Sequence, residues 1–302
     1  MLSSLVTGIF QGAVYGLLAV GLVLVYKGAR VFNFAQGEFG TVGAFVTYAF
    51  FTNLHQNYLL AVILGLIASV ALGLLMERLV VRPLLEAPRI TLLVATAGVA
   101  LLVIAVTLLV AQPDLRSLDP AIKDPTDPKT QFTKPFVVFN AFVTRQQLLI
   151  LVVLGIIAVA TAYFFNRTDR GLSVLASSED ATATRIVGIS PAATSRLIWG
   201  LAALLGGIAG ILQAPVAGEF TPGFMTTTTL IPAFTASVIG GMTSLPGAVI
   251  GGELVGIAQN VLGSYILQTK ASVPGGPQLA VFGLLLVVLL VRPQGLLGKE
   301  AI

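Results

Sequence analysis

The sequence of 302 residues contains no cysteine and only one histidine, His55. Without cysteine the chain can form no disulfide, present no thiolate nucleophile and offer no sulfur ligand to a metal. A single histidine also leaves a histidine metal site or a Ser-His-Asp arrangement without support. These absences argue against a catalytic function, and no cofactor or metal is predicted.

Charged residues are also scarce. They make up 10% of the chain, against 56% hydrophobic residues and a mean hydropathy of +0.95, whereas a soluble domain carries about 25% charged residues. The composition therefore predicts an integral membrane protein. A net charge of +4 would suggest nucleic acid in a soluble chain, but here the positive residues lie in loops between apolar segments, so no nucleic-acid partner is expected.

The apolar residues form nine runs, and crossing the hydrocarbon takes about 20 residues. The runs cover 5–26, 38–52, 58–80, 90–111, 147–165, 195–216, 228–239, 248–266 and 279–291. The second, seventh and ninth are short, which indicates broken, tilted or re-entrant helices covered by the rest of the bundle. We therefore predict an all-α, polytopic membrane helix bundle of about eight or nine spans, in which run 228–239 either crosses or re-enters.

Loop charges favour one orientation, because cytoplasmic loops are enriched in Lys and Arg. With the N-terminus outside, the inside loops hold eleven of the 17 Lys and Arg residues, and of the remaining six, four lie in one exterior loop, 112–144, and Arg145 directly follows it. The first positive residue, Lys27, follows an unbroken apolar run, so the first segment is expected to remain as a span. We predict an exterior N-terminus and a cytoplasmic C-terminus.

Residues 1–302 are expected to form one transmembrane domain with two notable loops. The exterior loop 112–144, rich in Pro and Asp, is either a solvated loop or an exterior cap. The cytoplasmic loop 166–196 contains a short amphipathic helix, which is either an ordinary surface helix or a contact for another protein. Its predicted signals are an N-cap at Ser178, acidic first-turn residues at Glu179 and Asp180, Arg185 near its end, and closure at Gly188 and Ile189.

Two further groups of residues bear on packing and transport. Small residues at four-residue steps let helices approach closely in lipid, either within one subunit or against a second; they are Gly8, Gly12, Gly16, Gly206, Gly210, Gly247 and Gly251. An ionisable group at the centre of the bilayer costs about 2.5–3.5 kcal/mol. Polar groups at membrane depth are therefore expected to face the protein interior or a water-filled cavity. They are structural anchors or pathway residues, namely Asn33, Gln36, Glu38, Glu253, Gln259 and Asn260.

A third polar element follows Pro222-Gly223, where four threonines precede a short apolar run. The hydroxyls of Thr226 and Thr227 are expected either to cap the helix that follows or to contact a solute at its N-terminus.

Several motifs, in order along the chain, resemble one family. They are the glycine-rich stretch 12–21, Asn33-Phe34-Ala35-Gln36-Gly37-Glu38, Glu179-Asp180 with Gly188-Ile189, the stretch 240–248, and the tail 292–298. Together they resemble the permease subunits of bacterial ABC importers for branched-chain amino acids, a group that includes permeases for other neutral amino acids, urea and amides. The chain is more similar to the LivH type than to the LivM type. Gln36 stands where the family often has histidine.

The resemblance implies a mechanism and partners. A homologous permease would complete the translocation pathway, two cytoplasmic ATP-binding subunits would drive it, and an extracytoplasmic solute-binding protein would deliver the small-molecule substrate. Helix 179–187 would sit in a groove of an ATPase. The chain has no G-x-x-x-x-G-K-[ST] phosphate loop, in keeping with a non-catalytic subunit. The alternatives are an ion-coupled carrier, which should show two related halves, and a channel with a repeated filter; neither pattern is evident.

Overall fold

The computed structural model describes residues 1–84, 87–112, 114–123, 135–138, 140–179, 184, 186, 188–292 and 294–298. The helices within these residues are α1 Leu2–Ala29, α2 Gln36–Tyr48, α3 Tyr58–Met76, α4 Arg89–Ala111, α5 Arg145–Arg167, α6 Asp169–Glu179, α7 Pro191–Ala217, α8 Ile231–Gly240, α9 Leu245–Ala258 and α10 Gly276–Val291. Four of them adjoin wide π-helical segments, Ala49–Asn53, Glu77–Val81, Thr226–Leu230 and Gln259–Lys270, and a 3₁₀ turn, Arg82–Leu84, follows the second. Two strands, β1 Phe136–Val138 and β2 Ala141–Val143, pair antiparallel.

The helical membrane class is confirmed. Among the described residues, six helical stretches are long and apolar enough to cross a bilayer, namely Leu2–Ala29, Tyr58–Leu84, Arg89–Ala111, Arg145–Arg167, Pro191–Ala217 and Leu245–Lys270. The three runs that are short in the sequence form the shorter helices α2, α8 and α10. Two of these adjoin a π-helical segment that lengthens the helical stretch.

Helix α1 lies at the centre of the bundle and packs against α9, α7, α8 and α5. Its residues from Ala13 to Val25 are almost completely buried. An α-helix that is apolar around its whole circumference can be covered on every side, by other helices or by lipid, and here other helices cover it. The long apolar run at the start of the chain therefore forms the core on which the other helices pack.

The predicted glycine steps contact other helices of the same chain. A Cβ at Gly12 would lie 2.7 Å from Glu253 Cα and 2.8 Å from the Gly252 carbonyl oxygen, and one at Gly8 would lie 2.8 Å from Ile257 Cα. These distances leave no room for a side chain between α1 and α9. Gly206 and Gly210 likewise abut α2, and Gly247 and Gly251 abut α8. Close backbone approach supplies the packing that the hydrophobic effect does not provide between helices in lipid.

Helices α3, α4 and α5 form the exterior of the bundle. Less than a third of the apolar window of each is buried. Large aliphatic side chains are exposed at mid-helix, including Ile67, Leu101 and Val159. These surfaces suit lipid acyl chains.

The described part of loop 112–144 is more ordered than its lack of periodicity predicted. Phe136–Val138 and Ala141–Val143 form a hairpin, because aromatic and β-branched residues favour strands. The loop is tied to the helices through Gln146, whose Oε1 accepts from the Ala121 N–H at 3.1 Å while its Nε2 donates to the Leu212 carbonyl at 3.1 Å. The described part of the loop therefore packs on the bundle at Ala121.

The α1–α9 contact can be tested with two valine substitutions. Gly12→Val should lower the thermal unfolding midpoint in detergent, since overpacking a close interface costs about 1–3 kcal/mol. Gly155→Val in α5 is the matched control, because a Cβ at Gly155 meets no atom within 4 Å. Equal midpoints for the two variants would mean that the close approach of α1 to α9 does not stabilise the fold.

Candidate functional site

The polar residues between α1 and α2 form a closed hydrogen-bond network. Asn33 Nδ2 donates to Gln36 Oε1 at 3.2 Å, and Asn33 Oδ1 accepts from the Ala35 N–H at 3.0 Å. Gln36 Nε2 donates to the Ala202 carbonyl oxygen of α7 at 2.8 Å. Both side chains are buried. Because these groups are paired with protein atoms, Asn33 and Gln36 join α2 to α7 and present no free group to a solute.

Glu38 lies in the first turn of α2 and is fully buried. Within the described part of the chain, neither carboxylate oxygen meets a donor in hydrogen-bonding geometry, and the same holds for the Thr226 hydroxyl oxygen. The nearest hydroxyl groups belong to Thr226 and Thr41. Gly37, which has no side chain, lets α2 lie directly against the start of the Thr226–Leu230 segment. Glu38 is therefore a polar group at a helix contact.

The four threonines do not cap a helix. Thr226–Leu230 is a π-helical segment that continues into α8. The Thr228 hydroxyl donates to the Phe224 carbonyl at 2.6 Å, and the Thr227 hydroxyl donates to the Gly223 carbonyl at 3.1 Å. Since these hydroxyls donate backward to carbonyls, the prediction of N-caps is wrong. A threonine inside a helix satisfies its own O–H in this way.

A polar cavity of about 450 Å³ lies between α1, α10, the end of α7, the threonine segment and the π-helical segment after α9. We call it the polar cavity. Its amide groups come from Gln11, Gln213, Gln259, Asn260 and Gln278. Its hydroxyl groups come from Tyr15, Thr227, Thr228 and Ser264. The volume falls within the roughly 300–1,000 Å³ of small-molecule sites.

No described residue that lines the polar cavity carries a formal charge. The Tyr15 hydroxyl donates to Gln259 Oε1 at 2.6 Å across the α1 face, and Asn260 Nδ2 donates to the Gly256 carbonyl at 3.0 Å. Thr227 and Thr228 are exposed at the mouth of the cavity. Neutral donors and acceptors of this kind can bind a solute with no net charge without leaving an unpaired charge in the membrane.

Gln213 is a cavity residue that the sequence interpretation missed. It is 7% exposed, and its Oε1 has no hydrogen-bond donor among the described residues. A buried amide oxygen without a protein partner is an acceptor that remains available to a solute or to water. Gln213 lies inside an otherwise apolar run that reads as a span, and a polar residue within such a run is the signal that could have identified it.

The structure separates the predicted pathway residues into those that line the polar cavity and those that lie at helix contacts. It brings Thr227, Gln259 and Asn260 to the polar cavity. Glu253 instead lies at the α1–α9 contact, where its Oε2 is 3.0 Å from the position of a Cβ at Gly12. Thr226 lies beside Glu38 on α2. The polar residues of the membrane region thus serve two different roles, helix contact and cavity lining.

The cytoplasmic loop contains a helix, α6, that was not predicted from the sequence. Helix α6 starts at Asp169, where the Thr168 Oγ1 accepts from the Gly171 N–H at 3.1 Å. Ser178 and Glu179 lie within α6, and the residues after them, where the predicted helix 179–187 would begin, lie outside the described residues, so the N-cap at Ser178 stays a prediction. Thr168-Asp169 carries the start signal of α6, an N-cap hydroxyl followed by an acidic residue at the positive end of the helix dipole.

The predicted end of the cytoplasmic helix is confirmed. Thr184 and Ile186 are helical, Gly188 has φ of +85°, and the Ile189 N–H donates to the Thr184 carbonyl at 2.9 Å. A glycine with positive φ commonly ends a helix in this way. Ser190 and Pro191 then begin α7, with Ser190 Oγ accepting from the Ala193 N–H at 3.4 Å.

Two of the predicted residues of this segment, Asp180 and Arg185, lie outside the described residues. Ile186 is 82% exposed although it is apolar.

A family model described as "Branched-chain amino acid transport system / permease component" matches residues 4–291. The permease protein LivH of the high-affinity branched-chain amino acid transport system of Escherichia coli is 28% identical over all of this chain and 96% of its own length. BraD, the corresponding protein of Pseudomonas aeruginosa, is 30% identical over all of this chain and 97% of its own length. The solved structure of PsaBC from Streptococcus pneumoniae in complex with Fab has 16% identity and a TM-score of 0.48, covering 97% of this chain and 92% of that one.

Single cysteines can test whether the polar cavity is wet, because the chain has no cysteine of its own. Thr228→Cys, in the chain purified in lipid nanodiscs, should react with a membrane-impermeant, water-soluble thiol reagent. Leu101→Cys is the control, because Leu101 is 68% exposed on the lipid-facing middle of α4. A thiolate forms only in water, so the lipid-facing thiol should stay unmodified over the same time. Equal labelling of the two positions would contradict a wet cavity.

Proposed function

The chain belongs to the branched-chain amino acid transport permease family, and we propose that it is the permease subunit of an ATP-driven importer for branched-chain or other neutral amino acids. Permeases of this family are non-catalytic transport subunits of the inner membrane. A second, homologous permease completes the pathway. Two cytoplasmic ATP-binding subunits and an extracytoplasmic solute-binding protein complete the transporter.

The polar cavity is the observation that carries this proposal. An exposed amide such as that of Gln278 would be left without partners against lipid tails. The face that bears it therefore has to be covered by protein and water, as expected of one wall of a pathway shared with a second permease. The uncharged lining suits solutes with no net charge, which neutral amino acids are as zwitterions.

We propose an exterior N-terminus and a cytoplasmic C-terminus. The polar cavity then lies in the outer half of the membrane, since α1 and α10 begin there and α7 ends there. Arg78, Arg82, Arg89 and Arg167 fall at the opposite, cytoplasmic end. Hydrogen bonds from Leu296 N–H to the Ile239 carbonyl and from Leu297 N–H to the Gly240 carbonyl join the tail after α10 to the end of α8. The antiparallel packing of α9 on α1, in which Gly8 meets Ile257 and Gly16 meets Val249, brings the start of α9 near the end of α1 and supports a crossing, rather than a re-entrant, path for residues 226–240.

The segment between α6 and α7 is proposed to receive the motion of the ATP-binding subunits. Helix α6 follows α5 after one residue, Thr168, and α7 begins two residues after Ile189. Such short connections transmit force with little loss to loop bending. Ser178, Glu179, Asp180, Arg185, Gly188 and Ile189 lie in or beside this segment. Ile186 supplies an exposed apolar contact.

Substitution of Ile186 tests the coupling role. Ile186→Asp should lower ATP-dependent uptake, or the amount of ATP-binding subunit that co-purifies, by roughly tenfold or more, because an unpaired carboxylate in a protein contact costs several kcal/mol. Ile186→Leu keeps the apolar contact and is the control. Full coupled transport by the aspartate variant would remove this segment from the coupling contact.

The function itself is tested by uptake in proteoliposomes that hold the chain with its homologous permease, two ATP-binding subunits and the binding protein. Radiolabelled leucine should accumulate only with ATP, and isoleucine and valine should compete while lysine and glutamate should not. Uptake sustained by an ion gradient alone would instead indicate an ion-coupled carrier. The amide-rich lining would also suit urea or short amides, and their uptake without leucine uptake would assign the chain to that branch of the family.

A further inference from the structure

A second cavity, of about 750 Å³, lies at the other end of α7, between α3, α6 and the first half of α7. We call it the arginine cavity. Arg170 of α6 and Arg196 of α7 stand at its polar end, together with Ser173 and Ser190. Leucines of α3 and α7 line the remainder, among them Leu74, Leu197, Leu201 and Leu204.

The two arginines have no acidic partner in the described part of the chain. The ion pairs found there are Arg82–Glu77, Arg116–Asp114 and Lys123–Asp119. Arg170 and Arg196 are both exposed, and the Arg196 Nε makes only a long contact of 3.4 Å with the Ala192 carbonyl of its own helix. Guanidinium groups with free donors match the oxygens of a phosphodiester.

The shape of the arginine cavity matches a lipid in one leaflet. From Ser190 to Leu204 the lining runs about 21 Å along α7, at about 1.5 Å per residue. Half of a bilayer with its headgroups spans about 20–22 Å. The lining also changes from cationic and hydroxyl groups to leucines in the same direction in which a phospholipid changes from headgroup to acyl chain.

The cavity opens toward the exterior of the bundle. Its α3 wall belongs to a helix of which only 28% of the apolar window is buried, and Leu74 on that wall is itself 39% exposed. The polar cavity, where a second permease is proposed to seat, involves other helices and the other end of α7. The side of the arginine cavity between α3 and the first half of α7 is therefore open to lipid, and its Ile189 end adjoins the segment that is proposed to contact the ATP-binding subunits.

We propose that the arginine cavity binds an anionic phospholipid, with the phosphate between Arg170 and Arg196 and an acyl chain along the leucines between α3 and α7. Basic pockets between membrane helices on the cytoplasmic side recognise such headgroups. This site is independent of the proposed transport function. Because the lipid contacts both α6 and the start of α7, it links the segment that follows α6 to the membrane.

Native mass spectrometry of the full chain purified in detergent tests this site. Phosphatidylglycerol should be retained in preference to phosphatidylcholine. Arg170→Gln/Arg196→Gln should weaken phosphatidylglycerol binding about thirtyfold, given about 1 kcal/mol for each basic residue at an anionic lipid surface. Arg89→Gln/Arg292→Gln is the matched control, since it removes the same charge from the same end of the bundle, outside the cavity, and should leave binding unchanged.

A second variant tests the acyl chain while keeping both arginines. A Cβ at Gly200 meets only the side chain of Leu74, at 3.4 Å, so Gly200→Phe can fill the cavity without a backbone clash. It should abolish retention of phosphatidylglycerol, with a thermal midpoint that shows the fold intact. Soluble glycerol phosphate should not compete.

Three results would overturn the proposal. Equal loss of lipid in the two double arginine variants would mean attraction to net positive charge alone. Competition by glycerol phosphate together with normal binding by Gly200→Phe would mean an anion site without an acyl groove. Equal retention of phosphatidylglycerol and phosphatidylcholine by the unaltered chain would mean that the arginines do not select the headgroup.

Discussion

The close approach of α1 to α9 is the contact on which the rest of the bundle depends. Helix α1 is apolar on all sides, so it has no solvent face to orient it, and lipid provides no hydrophobic drive that favours one neighbour over another. The glycines determine which helix packs against α1. Where Gly8 and Gly12 meet Gly252 and Gly256, the two backbones touch, and α5, α7 and α8 pack on this pair.

The same two helices also build the polar cavity. Tyr15 of α1 and Gln259 after α9 are joined by a 2.6 Å hydrogen bond. The same two helical stretches therefore provide both the glycine contact and part of the cavity lining. Both segments that leave regular α geometry near this cavity, Thr226–Leu230 and Gln259–Lys270, are π-helical. Wider turns of this kind are frequent at functional sites. In a membrane they are tolerated where protein or a wet cavity covers them.

Helix α7 connects the two ends of the molecule. Over its 27 residues, about 40 Å at 1.5 Å per residue, it runs from the segment after α6 to Gln213 at the polar cavity. Its middle is clamped to α2 at Gly210 and by the Gln36 hydrogen bond to Ala202. In the proposed transporter, a tilt imposed at Ile189 and Ser190 would therefore move α2 and the cavity wall together. The arginine cavity lies on the part of α7 nearest that input.

The sequence by itself determined the membrane class, the short helices, the ends of the cytoplasmic segment at Gly188 and Ser190, and the family, because composition, apolar run length, capping residues and motif order are local properties of the chain. The start signal of α6, Thr168-Asp169, was also local, although α6 was not predicted from it. Only the tertiary structure decided which helices the glycines contact, which polar residues line a cavity, and that Gln213 is one of them. Those outcomes depend on the register between helices far apart in sequence, and each local pattern was compatible with more than one neighbour.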